Sequence, residues 1–424
     1  MAGPNPSVES WPASFPTNGT ATPKTFRRGA HRAIEPEETL TRLQPLLASM
    51  EITRVADITG LDVIGLPVAV AVRPNARSNA VFQGKGMTRA AAKVSAIMEA
   101  VETFHAERLH GPLLWADARE LRQKGYRLLD VGRLSRRTGV DFSDDTKTLW
   151  IEGRHLEDDA PCLLPYEIAH VNFTLPSPAG SGYFLASTNG LASGNNRAEA
   201  LVHAACEVIE RDCHILFGLD HTALDARRLD LASVDDDDAL LVIDRIKTAG
   251  LLCAVWDLTS DIGIAAFRCH IMERDGGPGV MPLPAEGHGC HPDRGIALVR
   301  ALLEAAQSRA TVIAGTRDEV GPDFYHRMDD PGQLAEWRGR LASSSSACRF
   351  DNVPHCTFET IDEDLSHIAT QLRSAGLSEI VVLDLSPADA PFAVARVVIP
   401  GLEGPPSPHI IPGSRARRHL EKMR

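Results

Sequence analysis

Two kinds of apolar pattern alternate along this chain. Alanine-rich stretches carrying glutamates at three-residue spacing read as helices, and short runs of β-branched or small apolar residues read as strands. One helical pattern recurs three times. Arg89 to Glu102, Arg197 to Glu210 and Arg294 to Gln307 all fit RxxAxVxAxxExx[EQ] without a gap. A glycine-bearing loop is predicted before each copy, at Gly84-Lys85-Gly86, Gly190 to Gly194 and Gly287-His288-Gly289. A second, weaker pattern is a strand ending in Asp-[Ile/Leu]-[Thr/Ser], at Asp57-Ile58-Thr59, Asp257-Leu258-Thr259 and Asp384-Leu385-Ser386. The strands expected next are Leu66 to Val72, Ile264 to Ile271 and Phe392 to Ile399.

These patterns predict an α+β fold of repeated helix–hairpin units with glutamate-bearing helices attached. The periods are too long and irregular for a solenoid of short stacked repeats. Of 424 residues, 43% are apolar and 24% charged, enough for one large or two smaller cores. Residues 1–27 read as a disordered leader, because Met1 to Pro23 is rich in Pro, Ser and Thr and has no basic or apolar region of a secretion signal. The expected folded domain is 28–403. A tail, 404–424, begins with Pro405-Pro406-Ser407-Pro408 and turns basic from Ser414, either as a short surface helix or as disordered chain.

Composition narrows the partners. The net charge of −12 argues against nucleic acid as the main one. No apolar run approaches 18 residues, so no membrane span is expected and the predicted location is cytoplasmic. Eight cysteines are scattered without a CxxC pair and read as reduced, mostly buried thiols.

The glutamates carry the chemistry. Residues three apart share a helix face, so Glu99 with Glu102 and Glu207 with Glu210 form like-charged pairs that cost stability unless something compensates them. A solvated surface is the ordinary setting for such a pair. Here the flanking residues Ala96, Ile97, Met98, Ala100 and Val101, and Ala204, Ala205, Cys206, Val208 and Ile209, make both helices apolar nearly all round, hence buried. Buried carboxylates must be paired, protonated or bound to a cation. Four oxygen ligands without His or Cys suit Mg2+ rather than zinc. Glu199 is placed to add a further ligand or to orient a metal-bound water. In the third copy Glu304 and Gln307 replace one carboxylate by an amide, so that helix is expected to contact nucleotide or substrate. The helix N-termini, with Lys85 before the first, offer N–H groups and positive charge to phosphates.

Other constellations are weaker. His288, Cys290 and His291 lack a second pair at zinc-ligand spacing. Asp235 to Asp238 reads as the start of a helix. Cys213 and His214, adjacent on a helix, point to different sides and read as structural. GxxxxGK[ST], GxSxG and HExxH are all absent.

The segments Thr53-Arg54, Gly60 to Pro67, Gln83 to Gly86, Ser95 to Glu102, Asn189 to Asn195, Glu207 to Asp212, Glu304 to Arg309 and Pro400 to Glu403 resemble the YcaO family over about residues 28–403. The resemblance implies an unusual nucleotide site ringed by helices, with ATP and Mg2+ held between carboxylates. It places Ser95, Glu99, Glu102, Asn195, Glu199, Glu207, Glu210 and Arg211 around the nucleotide and metal, with Arg309 beside them. Arg32 and Thr39 match the family's phosphate-binding cation and hydroxyl. Glu99, Glu207 and Arg309 are the residues expected to serve catalysis.

Such enzymes use ATP to phosphorylate a peptide amide oxygen after a nucleophile adds, giving an azoline, thioamide or amidine. The stretches TRVADITGLD and NGLASGN look like the branch associated with TfuA proteins, which implies thioamide formation on a precursor peptide with a TfuA-like partner delivering sulfide. The chain does not end in the proline-alternating tail of many azoline-forming relatives. No peptide-leader-binding domain precedes Arg28, so recruitment is expected to need a separate protein. Two other readings stand beside this one: an accessory factor for ribosomal protein methylthiolation, and an ATP-dependent ligase of small molecules. A homodimer is compatible with the sequence.

Overall fold

The three Asp-[Ile/Leu]-[Thr/Ser] copies adopt one local geometry. The Asp57, Asp257 and Asp384 carboxylates accept the N–H of Thr59, Thr259 and Ser386 at 2.9, 2.8 and 3.0 Å. The hydroxyls of those residues accept the N–H of Val68, Ala266 and Val394 at 3.2, 3.2 and 3.0 Å. A short acidic side chain turns the backbone and a hydroxyl latches the returning strand, so each position needs its residue type. The computed structural model in which this is seen describes residues 21–218, 224–275, 284–317, 330–343, 345, 347–404 and 407–422.

After a short helix α1 (Pro36–Leu43), the first unit is an antiparallel sheet β1 (Arg54–Asp57), β2 (Val68–Val72) and β3 (Val81–Lys85), leading into α2 (Arg89–Ala106). Strand β4 (Leu191–Gly194) leads into α3 (Arg197–Gly218). The next unit repeats the first: β5 (Leu251–Asp257), β6 (Ala265–Glu273) and β7 (Ala285–His291), then α4 (Arg294–Ala314). The hairpin β8 (Val381–Asp384) and β9 (Ala393–Val398) returns from far along the chain to lie beside β4, with Arg396 opposite Leu191. Each glutamate-bearing helix therefore follows the third strand of an antiparallel trio. The β8–β9–β4 trio extends into a six-stranded sheet through Thr148–His155 and Leu114–Ala116, with Pro161–Pro165 paired to Thr148–His155.

The glycines before the helices have a different role from the phosphate-binding loops expected of them. Gly84, Gly287 and Gly289 lie inside β3 and β7, where the strand presses on helix backbone. A Cβ on Gly84 would stand 2.1 Å from Ala96 N, and on Gly287 2.2 Å from Ala305 N. On Gly289 it would stand 2.1 Å from Ala297 O. Glycine on the strand and alanine on the helix let the two backbones meet, which accounts for the alanines of the repeated motif.

Both ends of the described chain pack inward. Lys24, assigned by sequence to the leader, is buried with its Nζ 2.7 Å from Asp364 Oδ2, and Phe26 is buried too. Pro405 and Pro406 lie outside the described residues. Beyond them, α5 (Ser414–Lys422) docks on α3 through Arg415 rather than lying free. The acidic run opens a helix as expected, Asp236 accepting from Ala239 N–H at 2.8 Å ahead of Asp237–Thr248. Among the described residues, no helix is long and apolar enough to cross a membrane.

Candidate functional site

The same three positions of each repeated helix reach one cavity of about 580 Å³. The seventh motif position supplies Ser95, His203 and Arg300; the eleventh supplies Glu99, Glu207 and Glu304; the fourteenth supplies Glu102, Glu210 and Gln307. Steps of four and three residues keep side chains on one helix face, so three copies of one pattern give three faces turned inward together. Gln307 Nε2 donates to Gln83 O at 3.3 Å, fastening α4 to β3.

Part of the cavity lining is acidic. Glu99 accepts the Gln83 N–H at 2.8 Å, and Glu102 accepts the N–H and hydroxyl of Ser193 at 2.8 and 2.7 Å. These bonds do not offset the loss of water. Burial pushes the Glu99 carboxyl above its ordinary range. Burial, with Glu99 and Glu207 nearby, takes Glu102 up to about 8. Burial and the neighbouring Glu210 take Glu207 to about 7, against the pull of Arg211. With Glu210 beside them, four carboxyls crowd one cavity, a condition a divalent cation relieves.

Cations share the lining. Lys85 Nζ meets Glu304 Oε2 at 2.8 Å; burial would raise that carboxyl, but Lys85, His288 and Arg211 outweigh it and hold it below its ordinary range. Arg28, Arg32, Arg211, Arg300 and Arg317 also line the cavity. Burial first, then Arg300, Arg32 and Lys85, drive His203 well below its ordinary pKa, so it stands neutral among cations.

An N-terminal segment joins the cavity lining and is tied to Glu199. Its Oε1 accepts Ala33 N–H at 2.6 Å and its Oε2 accepts Asn195 N–H at 3.0 Å, while Arg32 Nε lies 3.7 Å away. The Asn195 side-chain amide also donates to Glu199, and its Oδ1 accepts the Thr39 hydroxyl at 2.7 Å. Arg32, Thr39, Asn195 and Glu199 thus come together although 167 positions separate the first from the last. With both oxygens hydrogen-bonded and its side chain fully buried, Glu199 holds Ala33 and Asn195 in place.

Arg309 lies outside the cavity. Two residues beyond Gln307 on a helix is about 200° around the axis, the opposite face. There its Nε meets Asp62 Oδ1 at 2.9 Å and its guanidinium also grips Glu273, clamping the loop before β2 and the end of β6 to α4. His203 and Arg300 line the cavity and were missed by the sequence reading; their shared motif position with Ser95 was the signal.

The volume suits a nucleotide, and the donor set suits Mg2+ carrying phosphates: clustered carboxylate oxygens together with guanidinium and ammonium groups. Ser95, Lys85, Asn195, Arg211 and Glu304 also line this cavity. A family model described as "YcaO cyclodehydratase, ATP-ad Mg2+-binding" matches residues 83–403. An uncharacterized protein in the tfuA 3' region of Rhizobium leguminosarum bv. trifolii is 36% identical over 381 residues, covering 88% of each chain. An uncharacterized protein of Methanothermobacter thermautotrophicus is 34% identical over 383 residues, covering 88% of this chain and 95% of its own. The YcaO structure from Methanopyrus kandleri bound with AMPPCP and Mg2+ superposes with a TM-score of 0.71 at 21% identity, covering 90% of this chain and 94% of that one. A heterocyclase solved with substrate and cofactor gives 0.75 at 22% identity, covering 92% of this chain and 54% of its own. The chain belongs to the YcaO family of ATP- and Mg2+-binding cyclodehydratases.

Proposed function

We propose that this chain replaces the oxygen of a peptide backbone amide by sulfur, working on a precursor peptide with a TfuA-like partner that delivers sulfide. The observation that carries the ATP-dependent part is the convergence of Glu99, Glu102, Glu207 and Glu210 with Lys85 and several arginines on one cavity. The relative in the tfuA 3' region supports the sulfur chemistry. Bound Mg2+ and ATP supply the phosphoryl group that turns the amide oxygen into a leaving group.

The protein's own task is placement and charge neutralisation. The four glutamates hold the cations, and Lys85, Arg32 and Arg211 neutralise the phosphates. Ser95 and Asn195 add hydrogen bonds to the nucleotide. Gln307 presents an amide where another carboxylate would repel the phosphates, and Glu199 keeps Arg32 and Asn195 in place. A second reading, azoline formation from a Cys, Ser or Thr of the peptide, is favoured by the description of the family as cyclodehydratases.

Intact-mass measurement separates the readings. The full chain is incubated with candidate peptides, ATP, Mg2+ and sulfide, with and without a TfuA-like protein. O-to-S exchange raises the mass by about 16 Da and azoline formation lowers it by about 18 Da, simple arithmetic on the groups exchanged. Glu99→Gln and Glu207→Gln should each abolish the change. Persistence of the modification in both variants, or no Mg2+-dependent ATP binding by the wild type, sinks the proposal.

A further inference from the structure

The three repeated units differ at one sheet edge. In each, a helix leads into the first strand of the trio: α1 before β1, Asp237–Thr248 before β5 and Ile361–Ser374 before β8. Two of these first strands receive a further strand on their outer side from elsewhere in the chain. Val381 and Val382 of β8 pair antiparallel with His155 and Arg154, and Trp256 of β5 pairs antiparallel with Arg228. The Asp257 N–H donates outward to Arg227 O at 3.0 Å, and Ile380 O accepts the Leu156 N–H at 2.8 Å.

Among the described residues, nothing takes that place beside β1. Ile58 N–H donates inward to Val68 O, as Leu258 does to Ala266 and Leu385 to Val394, so the alternation of the ladder turns the backbone groups of Val55 and Asp57 outward. Aligned on Asp57, Asp257 and Asp384, Val55 matches Val382 and Asp57 matches Asp257, the residues that bond outward in the other units. Arg54 and Asp57 are exposed at the ends of β1, with Val55 and Ala56 half-buried between them. Such an edge offers unpaired donors and acceptors to an extended chain.

We propose that the free edge of β1 binds an extended, acidic segment of the peptide substrate as the missing antiparallel strand, an inference that rests on the peptide chemistry proposed above. Main-chain bonds supply the affinity in strand addition, and side chains supply the selectivity. Arg54 begins the strand, Arg89 of α2 meets Asp57 at 3.2 Å with its own side chain 76% exposed, and Lys93 of α2 attracts the same carboxylate. These three cations outnumber that carboxylate on a chain whose net charge is −12, so this edge complements an acidic segment. The loop after β1 exposes Leu61 and Val63, which add apolar contact. Strand β3, whose Gln83 and Lys85 line the nucleotide cavity, would lie three strand spacings, about 14 Å, from the docked segment. At least about four or five extended residues beyond that segment bring an amide of the same peptide to the cavity.

The test selects a random decapeptide library against the immobilised full-length chain without ATP, Mg2+ or sulfide, then measures recovered peptides by fluorescence anisotropy. Expected are sequences rich in Asp, Glu and β-branched residues. Val55→Pro removes an outward N–H while sparing the bonds to β2, and should weaken these peptides at least about tenfold. Arg54→Glu combined with Lys93→Glu should do the same through charge. Circular dichroism and urea midpoints establish that each variant is folded, and the double charge variant decides if Val55→Pro is not. Recovered peptides without acidic bias, affinity unchanged in the folded variants, or no enrichment at all would each overturn the proposal. Wild-type dimerisation that Val55→Pro abolishes would give the edge to a second copy and overturn it as well. Acidic peptides that bind as expected yet show no mass change with ATP, Mg2+ and sulfide support the docking edge and count against the thioamide chemistry alone.

Discussion

The Arg415 guanidinium closes on the Asp212 carboxylate inside the molecule, Nη2 to Oδ2 3.0 Å, with both side chains almost entirely buried. Arg415 also grips Asp261, and Glu403 accepts the N–H groups of Gly413 and Ala416 to start the last helix. Asp212 follows Arg211 on α3, so the end of the chain is fastened to the helix that supplies Glu207 and Glu210.

Removing one partner of a buried pair strands the other. Arg415→Met should therefore lower stability by about 3–5 kcal/mol, read as a shifted urea midpoint. It should also weaken nucleotide binding by loosening α3, while Arg415→Lys recovers part of both. A midpoint equal to wild type would show that the last helix is not anchored.

Close contact between strand and helix predicts a sharp contrast between glycines. Gly287→Ala drives a Cβ into the backbone of α4 and should cost at least about 2–3 kcal/mol, as overpacking does. Gly60→Ala, with nothing within 4 Å of the added atom, should change stability by less than about 0.5 kcal/mol. Thermal unfolding of both variants checks the pair, and equal effects would remove the packing explanation.

The motif spacing made the glutamate faces legible, because a helix converts steps of four and three residues into one direction whatever surrounds it. The Asp-Leu-Ser copy was legible as a hairpin, but its pairing with β4 was not, since Arg396 and Leu191 are 205 positions apart. The glycines looked like phosphate loops because glycine serves both a turn and a close backbone approach, and only the position of Ala96 and Ala305 decides between them. Arg309 was assigned from its place beside Gln307 in sequence. Its true neighbours, Asp62 and Glu273, come from other elements, and no local pattern announces them.

That reassignment has its own test. Arg309→Met should destabilise the fold, because it leaves Asp62 and Glu273 buried without their cation, yet the folded fraction should bind Mg2+ and ATP analogue as wild type does. Arg211→Met should show the reverse emphasis, with affinity reduced at least about tenfold, the loss of a charge-assisted contact. Calorimetric titration with a non-hydrolysable analogue, beside denaturation curves, separates them. Loss of affinity in folded Arg309→Met would return it to the site.

The raised carboxyls give a pH dependence whose sign is fixed. Glu102 and Glu207 in the folded chain titrate at about 8 and about 7, above the ordinary carboxylate value they have when unfolded. Between the unfolded and folded values the unfolded state has released protons that the folded state still binds, so these groups make stability fall as pH rises. Below the ordinary carboxylate range their contribution is fully present; above pH 8 it is lost. Glu102→Gln and Glu207→Gln should therefore stabilise the metal-free protein at pH 8 much more than at pH 5. Mg2+ reverses the balance, because it binds the ionised carboxylates of the folded state only and its stabilisation follows mass action. Its effect on the wild-type unfolding temperature should grow from pH 5 to pH 8, with protons released on binding, and shrink in either glutamine variant. A Mg2+ effect independent of pH, or undiminished in both variants, would mean that these carboxylates do not hold the ion.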